Sequence, residues 1–255
     1  YKRQLLNLTG DAADAVAAQV AKLDEIRQTV VATSQVPLYV NDPVAVTAEG
    51  TPVRIVRNAE TNLGDLCADA YRALSNADIA FVNGGGIRKQ IEAGDITLDD
   101  IYSVHPFGNT MCVIRVTGQQ VLDALEWGAR AVPSENGGFL QVSGLTYEIH
   151  TGVASSAEKD ENGMFTRVSG EYRVKNVMVG GQPLELDKTY TLASHNYMLL
   201  GHGDGYTMFD GCEVLGEDMM VDNQVLITYI TTTLGGVVGE QYANPYGDGR
   251  IVAVE

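Results

Sequence analysis

The stretch "DIAFVNGGGIR", Asp78 to Arg88, decides how the chain is read. Ile79 to Val82 form a short apolar run of the kind that makes a buried strand, and it leads straight into three glycines and an arginine. Glycine is costly to order and adopts backbone shapes that other residues avoid. Three in a row mark a tight turn, or a point where something must come close to the main chain. The run lacks the Lys-Ser/Thr that closes a P-loop, and its glycine spacing does not fit a dinucleotide fingerprint. Exposed backbone with Arg88 just beyond it suits a compact anion; a plain turn followed by a solvated arginine is the other reading.

The elements around this strand set the fold class. Before it, Leu63, Leu66, Cys67, Ala70 and Leu74 fall at i, i+3, i+4, i+7 and i+11, an amphipathic helix with Thr61 or Asn62 as N-cap. Further upstream, Val53, Ile55 and Arg57 alternate as a strand would. Downstream, "DITLDDIYSV" reads as a short helix and "TMCVIRV" as a strand. "TGQQVLDALEWGARA" reads as a helix whose Thr117 and Gln120 are placed for a capping box. "LQVSG", "LTYEIH", "EYRVKNVMVGG" and "KTYTLAS" carry β-branched and aromatic residues between glycine turns, and "VASSAEKDENGMFTRVSG" between them reads as a polar surface loop. "DNQVLITYITTTL" is the last expected helix and "GRIVAVE" the closing strand. Helices and strands mix without strict βαβ alternation, which predicts an α+β fold. At the other end, Val16, Val20, Leu23 and Val30 recur at helical spacing, so the first thirty residues read as one polar, Ala-rich helix ending before Pro37. This predicts a linker helix over 1–35 and a folded domain over 36–255.

At 255 residues, 45% of them hydrophobic and 20% charged, the chain has the make-up of a globular protein. No apolar run approaches the ~20 residues that span a bilayer, so no membrane segment is expected. Tyr1 is neither an initiator Met nor the start of a secretory signal, and a piece of a longer protein is the expectation. The net charge of −16 argues against a nucleic-acid polymer as partner, but not against a small anion held by one or two arginines. Cys67, Cys112 and Cys212 are far apart without a CxxC pair and read as small buried hydrophobes. His105, His150, His195 and His202 show no metal-binding spacing, and no G-x-S-x-G elbow is present. No catalytic residue and no metal ligand is therefore assigned, and no cofactor is expected on these residues.

Two further segments stand out. In "HPFGN", His105 to Asn109, Phe107 between Pro106 and Gly108 is an aromatic on a loop, either a plug for the core edge or a platform for a flat ligand. "SHNYMLLGHGDGYTMF", Ser194 to Phe209, holds Asn196, Tyr197, His202 and Asp204 in a glycine-rich loop. Its aspartate can accept hydrogen bonds from a diol or shape a turn. Arginines for phosphate, aromatic faces for a base and a carboxylate for ribose hydroxyls together describe a nucleotide site.

"ETNLGDLCADAYR", "VNGGGIR", "HPFGN" and "NYMLLGHGDGY", in this order, resemble the C-terminal substrate-binding domain of the 5′-nucleotidase family, which includes UDP-sugar hydrolases and 2′,3′-cyclic-nucleotide phosphodiesterases. The resemblance runs from about Val36 to the C-terminus, with Tyr1 to Gln35 similar to the interdomain helix. It implies that Arg57 and Arg88 contact phosphate, with Asn83 and Gly85 of the glycine loop beside the ligand. Phe107 and Tyr197 would stack on the base, Asn109 would bond base or ribose, and Asp204 would hold the ribose hydroxyls. Arg54 has no counterpart in register. Met198, not Tyr197, stands at the family's usual distance from Asp204. The family's two divalent metal ions belong to an N-terminal metallophosphoesterase domain whose motifs are absent from this sequence, so the chain is expected to bind a nucleotide without hydrolysing it. An exported location (extracellular, cell wall or periplasmic) is implied by the family alone. A free-standing nucleotide- or nucleoside-binding module is the alternative. A relative acting on sulfur compounds is a third reading, which Phe107 and Tyr197 speak against.

Overall fold

The computed structural model describes residues 11–255 as a mixed α+β domain. Its α-helices are α1 (Asp11–Arg27), α2 (Asn62–Ser75), α3 (Leu98–Val104), α4 (Gly118–Ala129), α5 (Asn196–Leu199) and α6 (Asp222–Thr228). The strands are β1 (Val30–Ser34), β2 (Asn41–Val46), β3 (Pro52–Arg54), β4 (Ile79–Asn83), β5 (Gly94–Thr97), β6 (Met111–Thr117), β7 (Leu140–Ser143) and β8 (Leu145–His150). They continue with β9 (Ala157–Lys159), β10 (Phe165–Val168), β11 (Val174–Val179), β12 (Gln182–Pro183), β13 (Thr189–His195), β14 (Glu213–Gly216), β15 (Val237–Val238) and β16 (Ile251–Val254).

A five-stranded sheet in the order β14-β6-β13-β4-β7 forms the centre, and both of its faces are covered. Side chains alternate across a strand: Ala80 and Val82 of β4 join a core with α2 and α6, while Ile79 and Phe81 join a second core with α4. That second core is closed by Tyr147, Ile149, Val174, Val177 and Ile251 from the sheet β12-β11-β8-β16. Burial on both faces explains why β4 reads as a continuous apolar run rather than an alternating one.

Strand direction decides where the loops go. β4 and β13 are parallel, β6 is antiparallel to β13 with His195 opposite Met111, and β7 is antiparallel to β4 with Asn83 opposite Leu140. The carboxyl ends of β4 and β13 and the amino ends of β6 and β7 therefore share one edge. The glycine run, the Tyr197 loop, the Phe107 loop and residues 134–139 all leave from that edge.

The expected helix of 1–35 is shorter than read. Its first ten residues lie outside the described ones, α1 stops at Arg27, and Val30–Ser34 is a strand pairing with β5 and β15. Valine and threonine pack well on a pleated surface, and Val30 is exposed instead of lying on a helical stripe. The polar surface loop proves to contain a hairpin, β9 with β10, closed where Asp160 accepts from the N–H groups of Asn162 and Met164 at 2.9 and 2.8 Å. Phe165 anchors it by packing edge-on against Trp127. "DITLDDIYSV" splits into β5 and α3 at Thr97, which caps the helix through a capping box. The last helix turns into a π-helical segment over Tyr229–Thr233. β3 ends at Arg54, so Ile55 and Arg57, expected on a strand, lie in the turn that follows.

Candidate ligand-binding site

Close packing accounts for the three glycines. A Cβ on Gly84 would collide with the Val56 carbonyl, and one on Gly85 would sit 2.9 Å from the Gly137 carbonyl oxygen. A Cβ on Gly86 would meet the Asn83 Oδ1 at 2.6 Å. The N–H groups of Gly84 and Gly85 donate to the carbonyls of Phe139 and Gly137, both at 2.7 Å, so these donors are already spent and do not form an anion cradle. The run instead lets three chain segments touch: the turn bearing Arg57, the loop before β7, and the start of the Arg88 segment.

Arg57 is fixed by main-chain contacts to its turn. Gln141 of β7, fully buried, donates to the Val56 and Ala59 carbonyls at 3.0 and 2.7 Å, and the Asn136 N–H donates to the Arg57 carbonyl at 3.0 Å. The Arg57 Nε is buried and has no hydrogen-bond partner among the described residues. Burial, followed by the charges of Arg54 and Arg88, lowers its pKa. Arg88 donates through Nη1 to the Gly85 carbonyl at 3.2 Å, and its guanidinium lies 5.7 Å from the centre of the Phe107 ring. Among the described residues neither Arg57 nor Arg88 forms an ion pair, although the chain as a whole is strongly acidic.

Phe107 is 60% exposed and Tyr197 43% exposed, so neither plugs the core. Gly108 beside Phe107 has φ +69° with open space around it, and glycine is needed there for conformation alone. The Tyr197 ring lies directly over Gly203, where a Cβ would intrude on it. Met198 is completely buried in the second core. Successive residues of α5 thus divide the work, Tyr197 facing outward and Met198 inward.

Asp204 is held from several sides in the left-handed region, with φ 53°. Its Oδ2 accepts from Asn83 Nδ2 at 2.6 Å, its Oδ1 accepts from the Tyr197 hydroxyl at 3.3 Å, and its carbonyl accepts from Trp127 Nε1 at 2.9 Å. Asn83 in turn accepts from His195 Nε2 at 3.0 Å. Burial depresses His195 to about 3, so its ring is neutral and the nitrogen facing Asn83 carries the proton. Burial of the Tyr197 hydroxyl, then the Asp204 charge, raises the phenol's pKa.

These side chains surround one cavity of about 350 Å³, lined by Arg57, Asn83, Gly85, Gly86, Arg88, Phe107, Asn109, Gly137, Tyr197 and Asp204. All eight residues singled out in the sequence are brought together there. Arg54 is exposed in β3 and is not among the lining residues. The sequence reading missed Gly86, Gly137 and the buried His195 behind Asn83. The "NGG" of Asn136–Gly138 just ahead of a buried strand was the one signal for Gly137, since it repeats the glycines found after β4. Nothing in the sequence marks His195, whose role depends on a contact 112 positions away. His202 pairs with Asp210 at the surface, and His105 is buried behind Gly86. Among the described residues, the carboxylates close enough to share a cation are Glu60, Asp65 and Asp248, and none of them lines the cavity.

The family model described as 5′-nucleotidase, C-terminal domain, matches residues 30–211. The trifunctional nucleotide phosphoesterase protein YfkN of Bacillus subtilis is 36% identical over 203 residues, which is 78% of this chain and 13% of that protein. The 5′-nucleotidase of Vibrio cholerae is 34% identical over 176 residues, 69% of this chain and 28% of its own length. A solved structure, the 5′-nucleotidase precursor from Thermus thermophilus, matches with a TM-score of 0.74 at 30% identity, over 96% of this chain and 43% of that one. The chain thus spans less than half of each of these relatives.

Proposed function

The chain belongs to the 5′-nucleotidase C-terminal domain family, and from that premise we propose that its cavity binds a nucleotide, as the recognition part of a metal-dependent phosphohydrolase whose catalytic domain lies outside these residues. The base inserts between Phe107 and Tyr197, Asp204 accepts hydrogen bonds from the ribose hydroxyls, Asn109 and Asn83 reach polar edges of the ligand, and Arg57 and Arg88 take the phosphate. The observation that carries this reading is the cavity itself. It combines two exposed aromatics, a positioned carboxylate and two guanidiniums that, among the described residues, have no carboxylate partner.

The energetics of the parts agree with this assignment. The charge of Arg88 disfavours that of Arg57, and among the described residues Arg57 also has an unpartnered buried donor. A phosphate relieves both at once through charge-assisted hydrogen bonds. Asp204 accepts from Asn83 of β4 through Oδ2 and from the Tyr197 hydroxyl through Oδ1, and each of these oxygens keeps a second lone pair. It therefore remains available to a diol. Tyr197 and Phe107 offer faces that are costly to leave in water and that any base can cover.

The two divalent ions of the family would be held by the catalytic domain. Glu60, Asp65 and Asp248 do not fit that role, since Glu60 accepts from the N–H groups of Gly249 and Ile251 and Arg250 pairs with Asp65 and Asp248. When bound in their own domain, such ions supply a water activated for attack on phosphorus. This chain contributes the grip on base, ribose and phosphate, and α1 forms the link to the catalytic part. Calorimetric titration of AMP and adenosine tests the reading. Phe107→Ala or Tyr197→Ala should each cost about 1–3 kcal/mol of binding for both ligands, whereas Arg88→Ala should weaken AMP only. Wild-type affinity in both aromatic variants, or release of phosphate from AMP by the metal-loaded chain alone, would contradict it.

A further inference from the structure

Phe107 and Tyr197 can share a ring only if their loops are held a fixed distance apart, and one residue outside the cavity lining touches both loops. Asn196 accepts through a single side-chain oxygen, Oδ1, from the backbone N–H of Thr110 at 3.1 Å and from that of Tyr197 at 2.9 Å. Its own N–H donates to the Thr110 carbonyl at 2.8 Å. Thr110 lies three residues beyond Phe107, so Asn196 is the stitch between the two aromatic-bearing segments. On its far side the Phe107 loop is tied down by Asp222. That carboxylate accepts from the Asn109 N–H at 3.2 Å, and the Asp222 N–H donates to the Asn109 carbonyl at 2.8 Å. The short loop is thereby gripped between the end of β13 and the start of α6.

We propose that Asn196 is a positioning residue that sets the gap between the Phe107 and Tyr197 rings. The proposal rests on the nucleotide reading of the cavity. Stacked rings keep their centres within about 4.5–7 Å of each other, so a slot that opens by an ångström or two loses contact with one face of the base. Only an acceptor at the Oδ1 position can serve both N–H groups. Thr110 and Asn196 are half-buried and Tyr197 is exposed, so water can replace the lost bonds when the acceptor is removed. The fold then survives while the spacing relaxes, which separates positioning from stability.

AMP titrations on four variants of the chain test this. Asn196→Ala should weaken AMP by about tenfold, the equivalent of one or two hydrogen bonds' worth of loop order. Asn196→Asp, which keeps an acceptor oxygen in place, should bind within about threefold of wild type. In a Phe107→Ala background the platform is already gone, so adding Asn196→Ala should change AMP binding little. If the alanine variant does not fold, Asn196→Ser, whose shorter hydroxyl cannot reach both donors, replaces it with the same expectation. Wild-type affinity in Asn196→Ala, an aspartate variant as weak as the alanine one, or full additivity with Phe107→Ala would overturn the positioning role alone. A wild-type chain that binds no AMP would overturn the nucleotide reading and this inference with it.

Discussion

Gly84 is the residue on which the site's assembly turns. Its missing side chain lets the end of β4 lie against the Val56 carbonyl, and that contact brings the Arg57 turn to the glycine run. Gly84→Ala should cost about 1–3 kcal/mol of unfolding free energy in urea, the range for inserting atoms into a packed interior; a variant as stable as wild type would contradict the close-approach account. The sequence pointed to this position through composition alone, because three glycines after an apolar run demand either a turn or an intimate contact. It could not say which, since the contacting carbonyl comes from a separate segment. The same limit applies to Tyr197 and Met198. Spacing left both open, and only the packing of α5 turns Met198 into the core and Tyr197 outward.

At the scale of elements, local chemistry was readable and tertiary pairing was not. Thr117 and Gln120 form the capping box their spacing implied: the Thr117 hydroxyl accepts from the Gln120 N–H at 3.2 Å, and Gln120 Oε1 accepts from the Thr117 N–H at 2.9 Å. Thr117→Ala should lower stability by about 1 kcal/mol, read as a shifted urea midpoint, and no shift would mean the cap contributes nothing here. The cap begins α4, whose Trp127 donates to the Asp204 carbonyl, so the helix supports the site from behind. β9 and β10 escape a reading of the sequence because their residues are polar and short-paired, and Phe165 finds its anchor only once α4 is in place. β1 reads as helix because Val30 continues the α1 spacing by chance, while its partners β5 and β15 lie far along the chain. The Thr117–Gln120 capping box, the α2 stripe and β4 depend on neighbours within a few positions, and those were legible.

For the whole molecule, the site edge is buttressed by histidines that folding keeps uncharged. Burial depresses His105 to about 4 and His195 to about 3, from an ordinary value of 6.5. A depressed folded-state pKa means that the unfolded chain takes up protons first. The stabilising effect of neutral imidazoles is therefore complete above about pH 6.5 and is lost as pH falls toward 4 and below. Each histidine should steepen that loss by about 1.4 kcal/mol per pH unit within the window. His105→Gln should remove one such increment from the slope of unfolding free energy between about pH 6 and 4.5; an unchanged slope would show that His105 titrates normally. Because both rings lie beneath the glycine run and Asn83, acid should loosen the ligand site as it loosens the fold. The motifs from Val82 to Tyr206 converge through strand direction, which sends the glycine run, the Phe107 loop and the Tyr197 loop to one edge of the central sheet. The order of the motifs was visible beforehand; the shared edge required the register.

The central claim is that one planar base lies between Phe107 and Tyr197. Intermolecular NOE spectroscopy of the AMP-saturated chain tests it most directly. The account predicts cross-peaks from the adenine H2 and H8 protons to the ring protons of both residues. Cross-peaks to neither ring, with AMP bound, would contradict it.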